Sequence, residues 1–459
     1  MKLQHHLRMT EEQRSTLQAH LVSGDGLESV ALAVCGVRRG FGRDVHCVHT
    51  LHFIPKEACE RTPTSVTWPV ELAVPAINEA IRRGGSILKI HSHPEGVEKF
   101  SGRDDESDVA VFTAITNISD GAVAGMSAVM TVDGRLFARA VPVAGKFSPA
   151  LVTVVGDDIR FFGREGIASA DEATQRTRQA FGDKTTGILG SLRVGVVGCS
   201  GTGSWVVEML ARLGVGELVL VDPDSVERRN LNRIVNSTAR HARDGTKKVN
   251  LFKRSIAAIG MGTVVRVLPS DLAHAKVVHH LASCDIVVGC LDSADGRELL
   301  NRISTYYTIP YFDVGVRIDA DGKGGVNQVC AAIHYLFPGG SSLLSRGVIS
   351  ADEVGAEAMR RTNPSQFESL KKEGYVRGAA VGAPAVISLN GFAASHAMNE
   401  MLARLHPFRL DDNSEFRYQN LSLRDGAWLR IPDGAPCRVL GRKVGRGDCV
   451  PLLDNPALS

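Results

Sequence analysis

The sequence predicts an α/β protein in two parts, a small α+β domain followed by a doubly wound parallel sheet with helices on its faces. Three observations lead there. Between about residues 20 and 145, short β-type runs surround one helical stretch. After Ser191, apolar strand runs alternate with helical segments. The 47 glycines follow no collagen-like period and aromatics are only 5%, which favours many tight strand-to-helix turns over an aromatic-rich β sandwich. A length of 459 residues suggests two or three domains, and 44% apolar content excludes disorder as the main state.

In chain order, SVALAVCG, VHCVHTLHF, SILKIHSH and SAVMTVDGRLFARAV read as strands, with ELAVPAINEAIRRGG near residues 70 to 84 as the helix. This sets a first domain over 1–150. Residues 151–180 are more charged and read as a linker with a leading helix. LRVGVVG, a glycine turn, SWVVEMLARLG, ELVLVD, VVRVLPS and CDIVVGC then make a second domain over 181–405, with 406–459 as its C-terminal extension.

The 53 Lys and Arg against 50 Asp and Glu leave a net charge of +3, too little for broad capture of nucleic acid or anionic lipid. No apolar run approaches the roughly 20 residues of a membrane span, and the start MKLQHHLRMTEEQRS lacks a signal-peptide core, so a cytosolic location is expected. Nine cysteines at irregular positions (35, 47, 59, 199, 284, 290, 330, 437 and 449), with no Cys-x-x-Cys pair, read as reduced thiols.

Two constellations carry chemistry. In ILKIHSHPEGVEKFSGRD an apolar strand ends at His91, and strand alternation puts His91 and His93 on one side, able to face one ion. Pro94, Ser101 and Asp104 follow in the order H-x-H-P, six residues, Ser, two residues, Asp. Strand-end histidines and a capping aspartate would be the plain structural reading of the same residues. The full order resembles the JAMM (MPN-plus) zinc metalloproteases, which process ubiquitin-like proteins, over about residues 15 to 145. The resemblance implies a cytidine-deaminase-like α+β fold, zinc on His91, His93 and Asp104 with one position open for water, Glu28 of GLESVALAVCG as general base and Ser101 as oxyanion donor. His46, His49 and His52 recur on another strand without a matching acidic partner and read as ordinary strand residues.

The second constellation begins at VGVVGCSGTGSWVVEMLARLG, where Gly198, Gly201 and Gly203 let backbone N–H groups and a helix N-terminus approach phosphate. A dinucleotide-dependent dehydrogenase would begin the same way. Asp222 closes the next strand, placed to receive ribose hydroxyls in either reading. Downstream, Asn230, Arg233, Lys248 and Asp292 suit a nucleoside triphosphate with magnesium better than a dinucleotide. Their order resembles the ThiF/MoeB superfamily, from about residue 175 to 400. That resemblance implies a Rossmann-like doubly wound domain using ATP and Mg²⁺ to adenylate the C-terminal glycine of a ubiquitin-fold protein. Arg178 would reach the partner subunit of a homodimer. Ser342 and Ser345 stand where the family often has a zinc-binding Cys-x-x-Cys, so no structural zinc is expected there.

Together the two resemblances imply a bifunctional enzyme of a bacterial-type ubiquitin-like pathway, such as those in conjugation operons implicated in phage defence. Its expected partners are a ubiquitin-like or sulfur-carrier protein and a conjugating enzyme, with no nucleic acid and no membrane. Two alternatives remain: processing and activation of a sulfur carrier for cofactor or cysteine synthesis, and a scaffold that binds a ubiquitin fold without chemistry.

Overall fold

A computed structural model describes residues 4–142, 146–163, 171–372 and 384–458. The chain divides into two units, Met1–Glu165 with Thr305–Thr308 and Val439–Ser459, and Gly166–Ser304 with Ile309–Arg438.

In the first unit β1 (His5–Thr10) leads into α1 (Glu11–Leu21), where Thr10 and Gln13 cap the helix reciprocally. Then come β2 (Val30–Arg38), β3 (Asp44–Phe53), the small hairpin β4 (Glu60–Thr62) and β5 (Ser65–Thr67), α2 (Val74–Arg83) and β6 (Ser86–His93). Next are α3 (Gly102–Ile118), β7 (Ala124–Thr131), β8 (Leu136–Val141), β9 (Ser148–Val155) and β10 (Ile159–Phe162). The main sheet has the order β1-β3-β2-β6-β7-β8-β9-β10, and β1 also pairs with β9, so seven strands close on themselves.

Both faces of this sheet are covered, which is why its strands read as unbroken apolar runs. Ala31, Ala33 and Cys35 of β2 pack with Leu17 and Leu21 of α1. The alternate residues Val30, Leu32 and Val34 pack with Ala76, Ile77 and Ala80 of α2 and with Phe112 and Ile115 of α3. The apolar spacing 73, 76, 77, 80 makes α2 a one-faced helix, and Gly84, at φ +63°, ends it in the left-handed conformation.

The second unit opens with α4 (Gln175–Ser191), followed by β11 (Arg193–Val197), α5 (Gly201–Arg212), β12 (Glu217–Val221), α6 (Ala239–Arg243), α7 (Lys248–Ile259) and β13 (Val264–Leu268). It continues through α8 (Ala275–Leu281), β14 (Ile286–Gly289), α9 (Ala294–Tyr306), β15 (Tyr311–Ala320), β16 (Val326–Leu336), α10 (Ala351–Thr362), α11 (Pro364–Lys372), α12 (Ile387–Leu405), β17 (Tyr418–Ser422) and β18 (Ala427–Arg430). Strands β13-β12-β11-β14-β15 are parallel in that order, and β16, β17 and β18 extend the edge antiparallel. The order reverses at β11, so a crevice is expected beyond the carboxyl ends of β11 and β14.

Two expected boundaries move. Residues 151–162 are not linker: β9 and β10 are strands of the first sheet, since VTVV pairs with the buried β1. Residues 439–458 do not extend the second domain. They belong with the first unit, where Gly36 donates to the Gly445 carbonyl and Asp448 to that of Val37. A Cβ on Gly36 would lie 2.1 Å from the Arg446 carbonyl carbon, so this return of the chain requires glycine there. Among the described residues no helix is long and apolar enough to cross a membrane.

Candidate active sites

Strand β6 carries His91 and His93 on one face, both buried, as alternation requires. Helix α3 delivers Asp104 to them. Ser101 is its N-cap: the Ser101 hydroxyl oxygen accepts the Asp104 N–H at 3.2 Å, while the Ser101 N–H and hydroxyl donate to Asp104 Oδ2 at 2.6 and 2.7 Å. His91 Nε2 lies 2.9 Å from Asp104 Oδ1, His93 Nε2 3.5 Å from Oδ2, and the two Nε2 atoms are 3.1 Å apart.

Glu28 precedes β2 rather than lying on it, and is buried. Its ligand atom and those of both histidines lie within 4.8 Å of one another. The hairpin β4–β5 fixes its backbone: the Glu28 N–H donates to the Thr62 carbonyl, and Arg61 donates to the carbonyls of Glu28 and Leu27, to Ser29 Oγ and to Asp25. Burial pushes the Glu28 carboxyl up to about 7. Burial acts the same way on Asp104, but hydrogen bonds from His91 and His93 outweigh it and hold that carboxyl well below the usual range. Burial depresses His91, whereas in His93 the bonds to Asp104 and to the Val97 carbonyl outweigh burial and raise it.

This donor set fits a zinc ion. Bonds of about 2.0–2.1 Å to a tetrahedral metal put neighbouring ligand atoms about 3.3 Å apart, close to the spacings found here. Two imidazole nitrogens at 3.1 Å need a proton or a metal between them. His93 Nδ1 contacts the Val97 carbonyl at 2.9 Å, as a metal-binding imidazole's second nitrogen does, whereas the buried His91 Nδ1 has no partner. The Ser101 hydroxyl proton goes to Asp104, so serving an oxyanion requires that hydroxyl to turn. His46, His49 and His52 are each engaged separately, with Ser86, the Val444 carbonyl and Glu79.

In the second unit the glycine turn sits at the end of β11. Gly198 has φ +85°, and a Cβ there would lie 2.5 Å from the Cys290 carbonyl oxygen; one on Gly203 would fall 1.8 Å from the Gly198 oxygen. Gly201 admits Asn390 of α12, whose buried Nδ2 has no partner and would stand 2.3 Å from a Cβ there. Ser200 makes no side-chain cap, so the first N–H groups of α5 have none. Asp222 is buried and accepts the N–H of Cys199 at 2.7 Å and of Asp224 at 2.9 Å. Lys248, also buried, lies 2.7 Å from Asp224 Oδ2 and 3.5 Å from Asp222 Oδ1.

Asn230 is bonded to the Glu227 N–H at the turn before Arg233, and the Arg233 Cδ lies 3.4 Å from where a Gly201 Cβ would be. Arg233 donates to the Arg229 carbonyl at 2.8 Å. Asp292 is exposed beyond β14, two residues after Cys290, which bonds back to β11. Thus the turn, Asp222, Lys248 and Arg233 gather around the end of β11 and the start of α5. Arg178 lies on α4, with Asp183 at 3.9 Å. Sequence reasoning missed Asp224 and Asn390; the second carboxylate of Asp-Pro-Asp was the available sign of the first. Ser342 and Ser345, in place of a cysteine pair, bond each other's N–H groups through their hydroxyls at 2.8 and 3.1 Å. Burial raises the thiols of Cys199, Cys290 and Cys330.

The model of the ThiF family matches residues 173–421, more than half of the chain. The chain belongs to the ThiF family. The match leaves out the residues of the histidine cluster. The SAMP-activating enzyme E1 of Haloferax volcanii is 36% identical over 131 residues, 28% of this chain and 47% of that one. Ubiquitin-like modifier-activating enzyme 5 of Aedes aegypti is 24% identical over 199 residues, 41% and 48%. The adenylyltransferase and sulfurtransferase UBA4 of Eremothecium gossypii is 29% identical over 142 residues, 30% and 31%. The chain thus spans about half or less of the length of these relatives. Among solved structures, E. coli MccB with ATP aligns at a TM-score of 0.44 and 17% identity, covering 60% of this chain and 75% of that one.

Proposed function

We propose that this ThiF-family protein is a bifunctional enzyme acting on the C-terminus of a ubiquitin-fold protein: the first unit cleaves after the terminal glycine, and the second adenylates the carboxylate so exposed. Family membership, with Asp222, Lys248 and Arg233 gathered at the glycine turn, supports the adenylation half. The convergence of His91, His93 and Asp104 supports the hydrolytic half.

For adenylation, a carboxylate oxygen attacks the α-phosphorus of ATP, the bond to the β-phosphate oxygen breaks, and pyrophosphate leaves with that electron pair. The barrier is largely charge repulsion. The N-terminus of α5, Arg233 and Lys248 offset it, and Asp292 would hold magnesium, which when bound supplies further charge neutralisation. Phosphate must draw Lys248 from Asp224, so Asp224 holds that ammonium in readiness near the site. Arg178 acts from a second copy of the chain. With the thiols of Cys199, Cys290 and Cys330 raised by burial, the acyl adenylate rather than a thioester on these cysteines is the product.

For hydrolysis, His91, His93 and Asp104 would hold zinc, which when bound supplies Lewis-acid activation of water and carbonyl. Glu28 takes the water proton at its carboxylate and returns it to the leaving amine. Asp104, locked to the N-cap by Ser101, keeps both imidazoles aimed at one point.

A second reading, activation of a sulfur carrier, is favoured by the similarity to the Eremothecium adenylyltransferase and sulfurtransferase. A small ubiquitin-fold protein made with and without residues beyond its terminal glycine tests both. The trimmed form should support ATP–pyrophosphate exchange and the extended form should be cut. Protein conjugates on feeding cell extract favour the first reading, and a thiocarboxylate favours the second. Neither exchange nor cleavage would leave only binding.

A further inference from the structure

We propose that the buried charge network of Lys89, Asp108 and Arg139 is a positioning device: it sets α3 in register on β6 and so delivers Asp104 to the two imidazoles. The inference rests on the metal-site reading above.

Across β6, β7 and β8, Cα partners fall into rows: His91–Val129–Phe137, Lys89–Ser127–Arg139 and Ile87–Gly125–Val141. The buried residues Asp104, Asp108 and Phe112 of α3 lie over these rows in the same order. Asp104 meets His91, Asp108 meets Lys89 and Arg139, and the Phe112 ring lies over Gly125, where a Cβ would come within 2.5 Å of it. Two strand residues rise about 6.6 Å and four helical residues about 6 Å, so strand and helix stay matched over three rows.

The middle row fixes that match. Asp108 is fully buried and receives Lys89 Nζ at 2.7 Å on one oxygen, and Arg139 Nη2 and Nε at 2.6 and 3.1 Å on the other. Arg139 also bonds Asp105, the neighbour of Asp104, and its guanidinium lies 3.8 Å from the ring centres of both Phe100 and Phe147. Phe100 directly precedes the Ser101 cap. The small Ser127 leaves room between the two cations.

An apolar row would hold the helix without desolvating three charges, but methyl groups tolerate sliding, and a carboxylate clasped from two directions does not. A slip of one residue would carry Asp104 about 1.5 Å along and about 100° around the helix axis, away from the histidines.

The test uses the full-length chain with Zn²⁺ and Co²⁺ as probes, and His91→Ala as the baseline for metal bound elsewhere. Arg139→Met leaves Lys89 and Asp108 as a balanced pair. It should keep the wild-type circular dichroism, weaken Zn²⁺ binding about 10- to 100-fold, and reduce the intensity of the tetrahedral Co²⁺ bands. Should it not fold, the triple variant Lys89→Met, Asp108→Leu, Arg139→Met, which removes every charge of the network, is measured the same way with the same expectation. A folded variant with wild-type affinity and spectrum overturns the positioning role alone. Wild-type protein that binds no Zn²⁺ above the His91→Ala baseline overturns the metal-site reading, and the proposal with it.

Discussion

In the first unit, His91, His93 and Asp104 bring their donor atoms within 3.5 Å of one another; in the second, the corresponding side chains bond chiefly to their own neighbours. Lys248 holds Asp224 and Asp222, Arg233 bonds the Arg229 carbonyl, and Asp292 is exposed. The difference follows from where the residues come from. One strand and the next helix supply the proposed metal ligands, so the strand period and a capping box already bring them together. The residues proposed for the nucleotide come from a turn, a strand end, a loop and two helix starts, and to close around a phosphate chain they would have to exchange partners. The two kinds of support are also complementary: the family match covers the second site, and internal geometry alone carries the first.

Separate substitution breaks this comparison most forcefully. His91→Ala should abolish zinc binding and cleavage yet leave ATP–pyrophosphate exchange at the wild-type rate. Lys248→Ala and Asp292→Ala should each slow exchange by about 100- to 1,000-fold, the scale of removing one electrostatic contact to the transition state, with cleavage intact. Loss of both activities from either substitution in a folded chain would mean that the two proposed sites are one. A zinc-selective chelator in excess Mg²⁺ should reproduce the His91→Ala pattern.

Gly203→Ala sharpens the nucleotide side. Its Cβ would sit 1.8 Å from the Gly198 oxygen, so the turn must open, and ATP binding by calorimetry should fall below detection while zinc content holds. On the metal side Arg61→Ala frees the loop carrying Glu28 and should lower the turnover of cleavage about tenfold, the scale of an outer-shell change, with zinc affinity unchanged. The smallest expected effect is that of Ser101→Ala. Losing that cap should cost about 1 kcal/mol in denaturant unfolding, together with weaker zinc binding because Asp104 loses two of its anchors.

Features set by neighbours along the chain were legible in the sequence. The H-x-H pair, the glycine turn and the parallel strands after Ser191 all follow from spacing within a strand or the turn after it, whereas the cap of α3 is Ser101 and not the aspartate that the plain reading offered. Pairings made at long range were not. Strand β1, HHLRMT, is not among the runs that read as strands, yet its buried His6 bonds Thr153 and Arg8 donates to the Tyr307 carbonyl, so the polar residues close the sheet. The 439–458 segment has no periodicity to read because its partners are the backbone of Gly36 and Val37. Lys89 stands inside an apolar run, and nothing nearby in the sequence announces that Asp108 and Arg139 will meet it there.

Elemental analysis of full-length protein after dialysis, wild type against His91→Ala, decides whether a metal centre and a nucleotide site exist as separate sites on one polypeptide. A single zinc ion per chain in the wild type, lost in the variant while ATP binding persists, is the predicted result. Equal zinc in the two proteins, or none in either, would contradict it.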